Sequence, residues 1–195
     1  MSQVRSLSGP PVFRKCVMLH LISDFTDKFF SFITEDPVRP NIPQVDRIGD
    51  NKDIFVMRDD DDKVQAITCV SYQKTIPTTE AELFEKTDSP EVAIFYTIWS
   101  YKPGAGRQLI FDAVSYIKEH RTEITRFVTL SPKTEMARRF HLKNGAVVFR
   151  ENEDTVNYEY LSQSREGVSH QAHNLKVGGS IPSSASITVV EKQQA

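Results

Sequence analysis

The chain is short of cysteine, tryptophan and long apolar runs, with two cysteines and one tryptophan in 195 residues. Cys16 and Cys69 each lie in a strand-like apolar run, which fits buried free thiols in a reducing compartment better than a disulfide framework. No apolar run approaches the roughly 20 residues of a transmembrane helix. Met1 to Pro11 also lacks the charged head and hydrophobic core of an export signal. The expectation is a soluble, cytoplasmic protein with no membrane partner. An excess of charge of one sign is lacking too: 24 basic and 26 acidic residues give a formal net charge of −2. Without a broad basic field, nucleic acid is not expected as the principal partner, although a local basic patch remains open.

Metal-binding patterns are equally thin. Asp59-Asp60-Asp61-Asp62 has no spaced ligand pattern with a turn glycine, so it reads as a solvated hairpin tip and not a cation loop. His170 and His173 could share a helix face, but they have no further ligands nearby. No metal is expected.

What is present suffices for a core, since 39% of the residues are hydrophobic and 12 are phenylalanine. One domain over 1–161 and a flexible tail over 162–195 are expected. The tail is rich in Ser, Gly and Gln, and its Ile187-Thr188-Val189-Val190 cluster is a possible contact for a protein partner.

Val12 to Leu21 reads as a strand. A helix then follows, capped by Ser23 or Asp24, with Phe25, Phe29, Phe30 and Ile33 at helical spacing and Glu35-Asp36-Pro37 at its end. Ile54 to Met57 and Val64 to Tyr72 form a hairpin around the aspartates. Lys74 to Pro90 is a polar excursion with two helical turns near Thr79 to Lys86. Val92 to Trp99 is apolar on both faces, as a buried central strand should be. After a glycine break, Leu109, Ile110, Ala113, Val114 and Ile117 mark one face of a helix. Ile124 to Leu130 returns as a strand, a second helix starts at Pro132 with Met136, Ala137 and Phe140 inward, and Asn144-Gly145 ends it. Ala146 to Phe149 and Val156 to Leu161 make a last hairpin. The class is α/β with one central crossover.

The chemistry concentrates at Lys102-Pro103-Gly104-Ala105-Gly106-Arg107, between the central strand and its helix. Glycines let backbone N–H groups approach a ligand, and the helix N-terminus adds partial positive charge, which suits a pyrophosphate. Lys102 and Arg107 can add charge-assisted bonds. Alone, such a turn also serves merely to redirect a chain.

A second block accompanies it. Thr129-Leu130-Ser131-Pro132, then Ala137, Phe140, Asn144 and Gly145 in register, resembles the fifth strand and fourth helix of the GNAT family of N-acetyltransferases. Trp99 to Ile110 resembles that family's coenzyme A signature, Arg/Gln-x-x-Gly-x-Gly/Ala. The resemblance runs from about Val12 to Leu161, and these two blocks are its specific part. It implies a GNAT-like fold, a mixed central sheet splayed around a coenzyme A cleft with helices on both faces. Pantetheine would pair with the backbone at Ile98, Trp99 and Ser100, the pyrophosphate would sit on the amides of Gly104, Ala105, Gly106 and Arg107, and Ser131 and Phe140 would contact the cofactor. The implied activity is N-acetyl transfer from acetyl-CoA to an amine acceptor.

Two positions depart from the pattern. Tyr101 stands where the signature has Arg or Gln, so that phosphate contact is either absent or supplied by Lys102. His141 stands where many members have the tyrosine that protonates the leaving thiolate; it is either an alternative acid or a helix-surface residue beside Arg138 and Arg139. For the base that takes the amine's proton, Glu91 is the candidate, with Asp88, Glu80 and Glu82 as competitors. These departures, and the tail, also admit a second class: a non-catalytic GNAT-fold structural or interaction module, within a larger assembly. Acceptor choice would reside in 41–52 and 74–90.

Overall fold

Runs of β-branched and aromatic residues build most of the molecule. In the computed structural model, which describes residues 16–161, they form strands β1 (Val17–Ile22), β2 (Lys52–Asp59), β3 (Val64–Gln73) and β4 (Val92–Ser100). Helix α1 (Ala105–His120) leads to β5 (Arg126–Thr129) and the two-residue β6 (Ser131–Pro132). Helix α2 (Glu135–Lys143), β7 (Val147–Glu151) and β8 (Thr155–Glu159) complete the order. The eight strands form one mixed sheet in the order β1-β2-β3-β4-β5-β8-β6, with β7 on β8. Only β4 and β5 pair in parallel, as expected for strands joined through a helix.

The sheet separates two apolar clusters. On one face α1 buries Leu109, Ile110, Ala113 and Ile117 against Phe55, Val70, Phe95 and Phe127. Each buried Leu, Ile, Val or Phe side chain among them contributes about 1.5–3 kcal/mol. The other face collects Ile54, Ile67, Ile94 and Tyr96 under Phe29, Ile33 and Leu83. Both α-helices place residues on the first cluster, whereas helical cover on the second comes from 3₁₀ turns at Phe30–Glu35, Gln44–Arg47 and Glu80–Phe84.

That second face corrects the expected helix at Ser23/Asp24, which is replaced by turns and the 3₁₀ segment Phe30–Glu35. Asp24 accepts from the Thr26 N–H at 2.7 Å, and Asp27 accepts from the Phe29 N–H at 2.9 Å. Short side chains that bond the backbone two residues on compete with helical hydrogen bonds. Cys69 is buried as expected, but Cys16 is exposed, because it lies just ahead of β1, which among the described residues pairs only with β2. The hairpin tip is only partly solvated: Asp59 is buried and accepts from the N–H groups of Asp61 and Lys63. Met136 is 81% exposed instead of inward, because α2 turns this side to a cleft. Val12 to Lys15, the tail with His170, His173 and Ile187 to Val190, and the proposed boundary itself lie outside the described residues. Among those described, no helix is long and apolar enough to cross a membrane, and no cluster of His, Cys, Asp or Glu could hold a metal.

Candidate functional site

The site begins where β4 stops being a regular strand. Its partners on β3 run Val70↔Phe95 and then Cys69↔Thr97, so Tyr96 is an extra residue, a bulge. Beyond it the Tyr101 N–H donates to Gln65 O on β3 at 2.8 Å. Alternation along an antiparallel pair then turns Thr97 and Trp99 toward β3 and the backbone groups of Ile98 and Ser100 toward β5. There they find no strand among the described residues. The β4–β5 pairing ends at Phe95↔Thr129, and Ser131-Pro132 has crossed to pair with β8. The sheet opens into a V.

Into this V falls a cavity of about 330 Å³. Its walls are Pro37 and Val38 on one side, Gly106 and Ile110 of α1, and Met136, Ala137, Phe140 and His141 of α2, with Ile98, Trp99, Ser100, Ser131 and Pro132 along the opened strands. The walls are chiefly apolar, and no Asp or Glu is among the described residues that line it.

At the mouth, Gly104 adopts φ +83°, a left-handed conformation that favours glycine. It precedes α1 without a side-chain cap. The Ala105 N–H goes to Lys102 O, and Gln108 N–H to Gly104 O. The N–H groups of Gly106 and Arg107 between them have no acceptor among the described residues. Helix α2 differs, since Thr134 caps it by accepting from the Ala137 N–H at 3.2 Å. Both helices leave two first-turn N–H groups open among the described residues, but α2 carries the acidic Glu135 there, whereas α1 offers its donors and its dipole to an anion with no acidic residue in its first turn. These residues, with the free edge at Ile98 and Ser100, fit a pyrophosphate and an extended amide-bearing arm.

On the inner wall His141 is buried, 4% exposed. Its Nε2 lies 2.9 Å from Ser131 Oγ and its Nδ1 2.8 Å from the Tyr160 hydroxyl, and its ring stacks on Tyr158. Ser131 Oγ in turn donates to Thr129 Oγ1 at 2.9 Å. That direction assigns the Nε2–H as donor to Ser131 and leaves Nδ1 to accept from Tyr160. Burial pushes the His141 pKa down to about 4 and the Tyr160 phenol up. The imidazole is therefore neutral near pH 7, one link in a chain of hydroxyls that reaches the cleft at Ser131.

No protein-family model matches the sequence, and no curated protein does. Solved structures do. A malonyl-CoA decarboxylase from Rhodopseudomonas palustris superposes with a TM-score of 0.61 at 18% identity, over 75% of this chain and 60% of that one. NAA60 from Arabidopsis thaliana in complex with acetyl-CoA gives 0.55 at 10% identity, over 74% of this chain and 98% of that one. A GNAT-family protein from Desulfovibrio desulfuricans gives 0.51 at 15% identity, over 74% of this chain and 98% of that one. The chain has the GNAT fold. It spans between 35% and 61% of the length of the malonyl-CoA decarboxylases it matches.

Within the GNAT fold, the residues expected from sequence divide. Ile98, Trp99, Ser100, Gly106, Ser131, Phe140 and His141 line the cleft. Lys102, Gly104, Ala105 and Arg107 form the turn at its mouth and do not line the cavity. Glu91 is elsewhere: it precedes β4, at the end of the strand opposite the turn, half exposed and paired with Lys74 at 2.7 Å. Its competitors also lie off the cavity lining, Glu80 on Arg39 and Glu82 on Thr78 and Thr79. Tyr101 turns from the phosphate side to donate to Glu35, and its hydroxyl accepts from Trp99 Nε1 at 3.1 Å. Sequence reading missed Tyr160 and Thr129 as His141's wider network. The signal was weak: a tyrosine closing a strand is ordinary core, and only the third dimension brings it to the histidine.

Proposed function

We propose that the chain is an enzyme that binds an acyl-coenzyme A thioester in this cleft, with the pyrophosphate on the open amides of Gly106 and Arg107 and the pantetheine along Ile98 to Ser100. Two reactions are available to such a site. Transfer of acetyl to an amine needs a base to take the ammonium proton. A histidine with its pKa lowered to about 4 is a poor base for that task, and the described cleft lining has no carboxylate to replace it. Loss of carboxylate from a malonyl-type thioester needs no base.

Decarboxylation is therefore the reading favoured here, and the neutral His141 bonded to Ser131 carries it. The bond between the α-carbon and the carboxylate breaks, its electron pair moves into the thioester carbonyl to give an enolate, and CO₂ leaves. Ser131 Oγ–H turns from Thr129 to give the α-carbon its proton and takes one from His141 Nε2–H, while Tyr160 gives its proton to Nδ1 and regains one from solvent. Walls of Ile98, Trp99, Ile110 and Phe140 exclude water from the carboxylate that must be lost. The likeness to malonyl-CoA decarboxylases supports this reading, and that to NAA60 supports N-acetyl transfer as the second one.

The test offers malonyl-CoA alone, and acetyl-CoA with a panel of amines. Expected are CO₂ and acetyl-CoA from the first, with turnover reduced by about 10²-fold or more in Ser131→Ala and coenzyme A affinity nearly kept. Amine-dependent release of free thiol from acetyl-CoA, with malonyl-CoA untouched, would establish acetyl transfer instead. Inertness toward both would leave the non-catalytic module.

A further inference from the structure

Where β4 parts from β5, the carbonyls of both chain segments are met by a side chain that belongs to neither strand. The Leu130 N–H donates to Phe95 O at 3.0 Å, the last rung of the parallel ladder. In such a ladder the residue that donates one rung accepts the next, so Leu130 O is where pairing would continue. Leu130 is fully buried, and its carbonyl requires a partner. Arg39 supplies it: Nη2 donates to Leu130 O at 2.9 Å and Nε to Tyr96 O at 3.4 Å. The following rung is barred as well, because Pro132 has no N–H to give.

Arg39 is held rigidly for this. Its third arm, Nη1, pairs with Glu80 Oε2 at 3.0 Å. Its own N–H donates to Asp36 Oδ1 at 3.0 Å, and its carbonyl accepts from Arg47 Nη2 at 2.6 Å. Asp36 and Arg47 form a fully buried ion pair at 2.5 Å, and Asp36 also accepts from Thr97 Oγ1 at 2.8 Å. The bulged strand and the Arg39 backbone thus share one anchor. A planar guanidinium, always charged, can cover two carbonyls and a carboxylate at once, whereas an ammonium cannot match that fork.

We propose that Arg39 is a positioning residue that holds β4 and β5 apart by occupying the two carbonyls at the apex of the V, and so keeps the cleft open. Its consequence for function rests on the reading that coenzyme A lies in this gap. Without the guanidinium, the nearest donors for Leu130 O are the backbone N–H groups of β4, and the strands close on each other.

The experiment uses the full chain as wild type, Arg39→Met and Arg39→Lys, with two readouts: amide hydrogen exchange at Ile98 and Ser100 without ligand, and titration with coenzyme A. In the wild type these amides exchange freely and are slowed by coenzyme A. In Arg39→Met, exchange at Ile98 should slow by about tenfold with no ligand present, and coenzyme A affinity should fall by about tenfold or more. Arg39→Lys should fall between. Exchange at Ile98 as fast as in the wild type would overturn the proposal even if affinity drops, since a merely structural arginine lowers affinity without closing the strands. Affinity within about twofold of wild type would overturn it also. Should Arg39→Met fail to fold, Arg39→Lys decides alone: slowed exchange upholds the fork, and wild-type behaviour in both readouts refutes it. The exchange readout needs no ligand, so failure of wild type to bind coenzyme A would refute the functional reading while leaving Arg39 to be judged separately.

Discussion

The two halves of β4 make opposite use of the same kind of sequence. Val92 to Phe95 is paired on both edges, to β3 and β5, and buried on both faces. Tyr96 to Ser100 continues the apolar run, yet it is paired on one edge and lines a cavity. A strand satisfied on all sides can only hold a fold together. A strand relieved of one partner keeps backbone donors and acceptors in reserve for a ligand. The bulge at Tyr96, the missing N–H of Pro132 and the fork of Arg39 convert the first condition into the second within two residues.

The largest expected effect breaks the open half. A Cβ built on Gly106 would meet the Phe140 ring at 3.5 Å and Ile98 Cδ1 at 3.8 Å, ordinary contact distances, so the backbone accepts a side chain there. A glutamate would extend from that point into the cleft and oppose the phosphates, while its charge suits the first turn of α1. Gly106→Glu should therefore keep cooperative unfolding and weaken coenzyme A binding by about 100-fold or more, about 2.7 kcal/mol. Titration calorimetry with thermal melting reads both. Unchanged affinity would remove the phosphate site from this turn.

A second effect of similar size sharpens the comparison through pH. His141 has its pKa lowered by burial from 6.5 to about 4. The unfolded chain therefore binds the extra proton first as pH falls. Stability from the neutral imidazole is fully present above about pH 6.5 and is lost progressively on the way down to about pH 4, by about 3 kcal/mol in total. His141→Gln, which does not titrate, should flatten that slope in melts between pH 7 and 4. It should also lower turnover by about 10²-fold. A slope identical to wild type would mean that this histidine is not buried in its neutral form.

Much of this was legible in the sequence because it is local. The glycine turn, the amphipathic α1 and the pairing of Ala137, Phe140, Asn144 and Gly145 are each set by neighbours within a few residues. The cleft lining at Ile98, Trp99, Ser100 and Gly106 is what the GNAT resemblance carried by these blocks implies. What was not legible depends on distant contacts. His141 could be a surface residue until Ser131, Tyr158 and Tyr160 close around it. Arg39 carries no motif, and its partners lie 57 and 91 residues away in sequence. The Phe25 to Ile33 spacing suggested an α-helix, but aspartate side chains claimed the backbone N–H groups at its start. Glu91 is a candidate because several GNAT members place a glutamate near the start of this strand, and here nine strand residues separate it from the turn.

The smallest expected effect tests the closed half, through Glu91→Gln. Its partner Lys74 is 53% exposed and Glu91 itself 56%, so water and salt screen the pair and its contribution to stability falls within about 0–1 kcal/mol. Its backbone is more engaged than its side chain: the Glu91 N–H donates to Gln73 O, and its carbonyl accepts from the Thr125 N–H, both at 2.9 Å. Substitution with glutamine leaves these bonds in place. The variant should therefore match wild type in coenzyme A affinity and in turnover, with a melting temperature shifted by no more than a few degrees. Parallel assays with malonyl-CoA and with acetyl-CoA plus amines decide the point for either chemistry. A turnover loss of about tenfold or more at unchanged affinity would restore Glu91 as a base acting from outside the described cleft, and would show that the paired end of β4 takes part in the reaction after all.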